Sequence, residues 1–202
     1  MGSSRRLKSM VEYLLGVFWI LSYLFVVYGG FKYRHEKLFF MPIVAGALNF
    51  AWEIHALRMS GGYWVHIIWL ALDCFILLQN IYFLSSLKKR IVYCVAEIML
   101  IILLFFIFSI KSFDGMLISS FVIDIIMACE YLFVIKKLSP RYLLIIGVFR
   151  LLGDCFAWIG NMRFSVFVTI AGAIVLLVNI IYVSFAFKIL YIKKQKRGKR
   201  AS

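Results

Sequence analysis

Residues 164–191, FSVFVTIAGAIVLLVNIIYVSFAFKILY, carry a single charged side chain, Lys188, and no proline; the residues that follow, 192–202, read IKKQKRGKRAS. A helix needs about 20 apolar residues to cross the hydrocarbon core of a bilayer. This stretch is long enough to do so, and it ends in a cluster of Lys and Arg of the kind that stays on the cytoplasmic side. Six earlier stretches read the same way: roughly 11–30, 38–57, 63–84, 91–110, 116–135 and 142–161. The expected fold is therefore all-α, a polytopic membrane protein of seven transmembrane helices. Residues 1–192 form the helical domain and 193–202 a basic cytoplasmic tail.

Composition supports this. Apolar residues make up 64% of the chain and charged residues 16%, against about half and about a quarter in an average soluble domain. A soluble fold has no means of hiding that much apolar surface. The net charge of +14 raises the question of nucleic acid. The basic residues, however, sit between apolar segments and at the chain ends, which is the pattern of membrane topology, so no nucleic-acid partner is expected. The connections are short, and helix breakers at Gly29-Gly30, Ser60-Gly61-Gly62 and Ser139-Pro140 fit the joints. Cys74, Cys94, Cys129 and Cys155 all lie inside apolar segments and read as packing residues.

Loop charge orients the chain. Lys32, Arg34 and Lys37, then Lys88, Lys89 and Arg90, then Lys136, Lys137 and Arg141 fall on the side of the tail; the opposite loops hold only Arg58, Lys111 and Arg163. The bias places the N-terminus outside and the C-terminus in the cytoplasm, although Arg5, Arg6 and Lys8 pull mildly the other way. A weak internal repeat also shows. Residues 22–27 (SYLFVV) resemble 130–135 (EYLFVI), and 77–82 (LLQNIY) resemble 176–182 (LLVNIIY). An offset of four helices makes these two parallel three-helix units joined by helix 4.

The informative residues are the acids. Six of nine lie inside the spans: Glu53, Asp73, Glu97, Asp124, Glu130 and Asp154. Each costs about 2.5–3.5 kcal/mol at a helix centre on insertion scales, so it should face the bundle interior. Counting about 1.5 Å of rise per residue brings Glu53, Asp124 and Asp154 to a similar level in the outer half, where they would line one cavity. Asp73 falls near mid-membrane, and Glu97 and Glu130 nearer the cytoplasm. Asn49 and Glu53 share a helix face at i,i+4, as do Arg150 with Asp154 and Asp154 with Trp158. The plain reading of Arg150 and Asp154 is a neutralising ion pair, extended to Glu130. Glu53 has no cation on its face, which makes it the better general acid. Asn80 and Asn179 read as interhelical hydrogen-bonding groups or as groups that orient a carboxyl or a substrate. Trp52 and Trp158 line a cavity or face lipid. His35, His55 and His66 read as loop or interfacial residues; none shares a face with another at ligand spacing, so no metal site is expected.

Asn49-Phe50-Ala51-Trp52-Glu53, late in the second of seven helices, resembles the integral-membrane terpene cyclases of fungal indole-diterpene and meroterpenoid pathways and their bacterial relatives. Size and helix plan agree over nearly the whole chain, and the specific part is the Asn-x-x-Trp-Glu run. The resemblance implies an isomerase that needs no cofactor. It would protonate an epoxide or alkene of a prenylated hydrophobic substrate arriving through membrane lipid, with Glu53 as the acid. The family also uses an aspartate in its last helix, where this chain has Asn179 in Asn179-Ile180-Ile181-Tyr182; Asp154 or Asp124 would then take that role. The expected site is Glu53, Asp154 and Asp124 for chemistry, with Asn49, Trp52, Trp158 and Asn179 around the substrate. Two alternatives stand beside it. One is a small proton-coupled carrier of three-one-three helix plan, although the chain lacks the Pro-Gln pair of one such class, its two prolines being Pro42 and Pro140. The other is a non-catalytic membrane protein whose buried polar groups serve packing.

Overall fold

The computed structural model describes residues 2–33, 43–59, 64–107, 113–134, 140–162 and 165–201. Seven helices account for almost all of them: α1 (Gly2–Tyr33), α2 (Ile43–Met59), α3 (Trp64–Phe83), α4 (Leu87–Ile107), α5 (Phe113–Val134), α6 (Pro140–Asn161) and α7 (Val166–Ala201). Four of them (α1, α3, α6 and α7) carry windows long and apolar enough to cross a membrane among the described residues.

Helix ends follow local chemistry. Ser86 caps α4, its Oγ accepting from the Lys89 amide at 3.3 Å, and Ser165 caps α7 through the Val168 amide at 3.2 Å. Pro140 opens α6, where its missing N–H costs nothing. The basic residues 193–201 continue α7 as helix, to Ala201, because Lys, Arg and Gln are good helix formers and no proline interrupts them. One expectation changes: Gly29-Gly30 does not break α1, which runs on to Tyr33. Gly30 serves close approach, since a Cβ there would run into the Gln79 side chain, and Gln79 Nε2 donates to the Val27 carbonyl at 2.9 Å. The turn at Ser60-Gly61-Gly62 and Ser139 lies outside the described residues.

Helix packing reproduces the repeat. Within the first unit α3 packs on both α1 and α2; within the second, α7 packs on both α5 and α6. Between units α1 packs on α6 and α2 on α5, and α4 lies against α2 and α3. Exchanging α1, α2 and α3 for α5, α6 and α7 maps the contacts among these six helices onto one another, whereas α4 packs on the first unit's α2 and α3 alone.

The bundle is apolar outside and has an apolar core in which a set of polar side chains is buried. Ser22, Asn49, Glu53, Asp73, Gln79, Asn80, Arg150, Asp154 and Asn179 are buried, while α4 and α7 turn residues such as Ile98, Met99, Phe167 and Leu177 outward. The interface of α1 with α6 is tightest at Gly153, where a Cβ would lie 2.6 Å from Cδ1 of Trp19. Gly153→Ala is therefore expected to cost about 1–3 kcal/mol through overpacking, seen as a lower thermal midpoint of the purified protein in detergent. An unchanged midpoint would mean that Trp19 moves aside freely.

Candidate functional site

One end of the bundle encloses a cavity of about 260 Å³, just below the usual range of about 300–1,000 Å³ for small-molecule pockets. Its walls come from the middle of α1 and α2, the N-terminal parts of α3 and α5 and the C-terminal end of α6. Antiparallel neighbours bring those parts together. Short runs at helical spacing supply the lining: Trp19 and Tyr23 on α1; Asn49, Trp52 and Glu53 on α2; His66 and Trp69 on α3; Ser120, Phe121 and Asp124 on α5. Each run repeats every three or four residues, which is one face of a helix.

Two hydrogen-bonded groups organise the polar wall. Asn49 Nδ2 donates to the Tyr23 hydroxyl and to Asp73 Oδ2, the latter at 2.6 Å. Asp73 is fully buried, and its Oδ1 has no partner among the described residues. Beside this triad, Glu53 Oε2 lies 2.9 Å from His66 Nδ1. The His66 ring is held edge-on between two indoles, 5.6 Å from the Trp52 centroid and 5.4 Å from that of Trp69. Glu12 adds a third carboxyl near the end of the bundle, after Glu53 and Asp124.

The expected site residues divide into two groups. Glu53, Asp124, Asn49 and Trp52 line the cavity. Asp154, Asn179 and Trp158 do not; they lie behind the wall in the contact of α6 with α7. Asn179 Nδ2 donates to Asp154 Oδ2 at 2.5 Å, and Trp158 Nε1 donates to the Thr169 carbonyl at 3.0 Å. The depth argument thus holds for two of three acids: Asp154 reaches the right level, but its side chain turns toward α7. Arg150, expected to pair with Asp154, stands close enough for its charge to act on both Asp154 and Asp124, but its hydrogen bond and ring contacts are with other groups. Arg150 donates Nη2–H to the Asp124 carbonyl at 2.8 Å and sits between the rings of Trp19 and Tyr131, 5.4 and 5.5 Å from their centroids. Its Nε and Nη1 have no hydrogen-bond partner among the described residues. An i,i+4 spacing allows a pair but does not dictate it when aromatic faces from α1 and α5 compete for the guanidinium. The side chains of Glu97 and Glu130 lie outside the described residues. Asn80 bonds across helices, donating to the Tyr93 hydroxyl at 3.1 Å.

His66 is the functional candidate that sequence reasoning missed. A signal was present: His66, Trp69 and Asp73 stand at i, i+3 and i+7, one polar-aromatic face of α3. No protein-family profile, no curated protein and no solved structure matches this chain.

Asn49 holds Tyr23 and Asp73 with one amide. Asn49→Leu leaves both without that donor and is expected to cost about 1–3 kcal/mol. Asn49→Leu combined with Asp73→Leu should recover part of that loss, because the buried carboxyl is gone as well. Thermal unfolding of the two variants in detergent checks this, and a double variant no more stable than the single one would contradict it.

Proposed function

We propose that this chain is a membrane-bound terpene cyclase that closes rings on a prenylated hydrophobic substrate by protonating an epoxide or alkene. The observation that carries the reading is Glu53: a carboxyl 2% exposed, on the wall of a cavity that the rings of Trp19, Tyr23, Trp52, Trp69 and Phe121 line together with polar groups such as Asn49, His66 and Asp124. Protonating an alkene or epoxide requires a positioned acid away from bulk water. The cation that follows requires electron-rich faces around it. The resemblance of Asn49-Phe50-Ala51-Trp52-Glu53 to membrane cyclases points the same way.

In this reading Glu53 delivers the proton, and Asn49 fixes the wall beside it through Tyr23 and Asp73. Asp124, from the facing helix, lies across the cavity as the second carboxyl. Asp154 and Asn179 support the α6–α7 side from behind. The substrate enters from lipid. Loop charge sets the chain with its N-terminus outside and its tail in the cytoplasm, so the cavity opens toward the outer half.

Membranes containing the protein, incubated with an epoxyfarnesyl-substituted phenol, are expected to yield a cyclised isomer of unchanged mass. Glu53→Gln should reduce product by about 10²–10⁴-fold, the usual contribution of a general acid. Full product from the variant would remove Glu53 from the mechanism. The topology is checked separately: alkaline phosphatase fused after Ser202 is expected to be inactive, whereas a green fluorescent protein fusion at the same place should fluoresce.

The two-unit helix packing favours a second reading, a carrier of three-one-three plan with the same carboxyls coupling protons to a solute. Proton uptake into proteoliposomes driven by a solute gradient, abolished by Glu53→Gln, would support it over the cyclase.

A further inference from the structure

We propose that His66 is the proton-relay partner of Glu53, passing protons between the mouth of the cavity and the buried carboxyl. Its use in turnover rests on the cyclase reading; the relay itself does not.

Three observations carry this. First, the contact: His66 Nδ1 lies 2.9 Å from Glu53 Oε2, a distance across which a proton moves directly. Second, the gradient of access. The Glu53 side chain is 3% exposed and the His66 side chain 13%. Glu53 stands six residues before Met59, the end of α2, and His66 two residues after Trp64, the start of α3. At about 1.5 Å per residue that places Glu53 about 9 Å deep along its helix and His66 about 3 Å deep along its own. The imidazole thus stands on the outward side of the acid. Third, the ring is fixed edge-on between Trp52 and Trp69, which keeps Nδ1 on the carboxyl. The other ionisable groups around it are Glu12 and Tyr23 from α1, Asp73 from its own helix and Asp124 from α5. Of these, Glu53 lies in ion-pair contact with His66, at 2.9 Å.

An acid that starts each turnover must be reloaded. When Glu53 gives its proton to the epoxide oxygen, the C–O bond opens and the alkene π pair forms the new C–C bond. The ring-closed cation later loses one proton to leave an alkene. That proton is taken up at His66 Nε2 through the cavity, while the Nδ1–H passes to Glu53 Oε2 and restores the carboxylic acid. Between turnovers the ring regains its Nδ1–H tautomer by losing the Nε2 proton to water at the mouth and taking one at Nδ1 from water that enters the open cavity. One proton leaves the protein and one returns, so the reaction is a net isomerisation without a co-reactant.

The test needs no substrate. The C=O stretching band of the Glu53 acid, identified by its loss in Glu53→Gln, is followed after transfer of the full-length protein in lipid nanodiscs to D2O at mildly acidic pH. His66→Gln retains a hydrogen-bond donor for Glu53 but carries no proton; it is expected to slow exchange of that band at least tenfold. His66→Ala should exchange as slowly, with added imidazole restoring the rate, a rescue that a purely structural role would not show. Equal exchange in wild type and His66→Gln overturns the relay, as does His66→Ala that imidazole fails to accelerate. Product formation by wild type alongside unchanged exchange would leave the cyclase standing and remove His66 from it. A relay intact without product would do the reverse.

Discussion

The amide of Asn49, shared between the Tyr23 hydroxyl and Asp73, is the contact on which the working end of the bundle depends. Asp73 lies at the middle of α3 with no exposure at all. A carboxyl in that position needs a partner, because no water is at hand to solvate it. Asn49 supplies one from α2 and ties α1 to the same point through Tyr23. Three helices of the first unit are thereby fixed in register around one polar contact. Register matters here because α2 carries Glu53 one turn beyond Asn49, and α3 carries His66 two turns before Asp73. Fixing one pair sets the other.

The same logic bears on the polar groups buried in an otherwise apolar core. The outer surface is rich in Ile, Leu, Phe and Val; for helices that lie in lipid, association comes from close packing and polar contacts. Both are present. Gly30 and Gly153 let Gln79 and Trp19 approach a neighbouring backbone. Gln79, Asn80 and Asn179 each bond across helices, to the Val27 carbonyl, the Tyr93 hydroxyl and Asp154.

Much of this was legible in the sequence. Hydropathy located all seven helices, and the count of rise per residue brought Glu53 and Asp124 to one cavity, because depth along a straight helix is nearly a linear function of residue number. Azimuth was harder. Whether Asp154 faces the cavity or α7 depends on which neighbour lies beside its face of α6, and the i,i+4 rule describes only one helix at a time. Arg150 was read in part for the same reason: the sequence offered it Asp154, on which its charge does act, whereas the folded bundle adds two aromatic faces and a carbonyl. His66 was overlooked because a histidine early in a span is commonly interfacial, although its spacing to Trp69 and Asp73 already marked an inward face.

The two units also differ at the positions that match each other in sequence. Asn49 with Glu53 corresponds in the repeat to Arg150 with Asp154, each pair at i,i+4 on the second helix of its unit, and Tyr23 corresponds to Tyr131. In the first unit Asn49 reaches Tyr23 by a hydrogen bond, and Glu53 lies against His66 on the cavity wall. In the second, Arg150 lies instead against the ring of Tyr131, and Asp154 accepts from Asn179. Residues at matching places in the two sequences thus make different contacts: the first carboxyl lines a cavity that α5 and α6 also wall, and the second is held in the contact of α6 with α7.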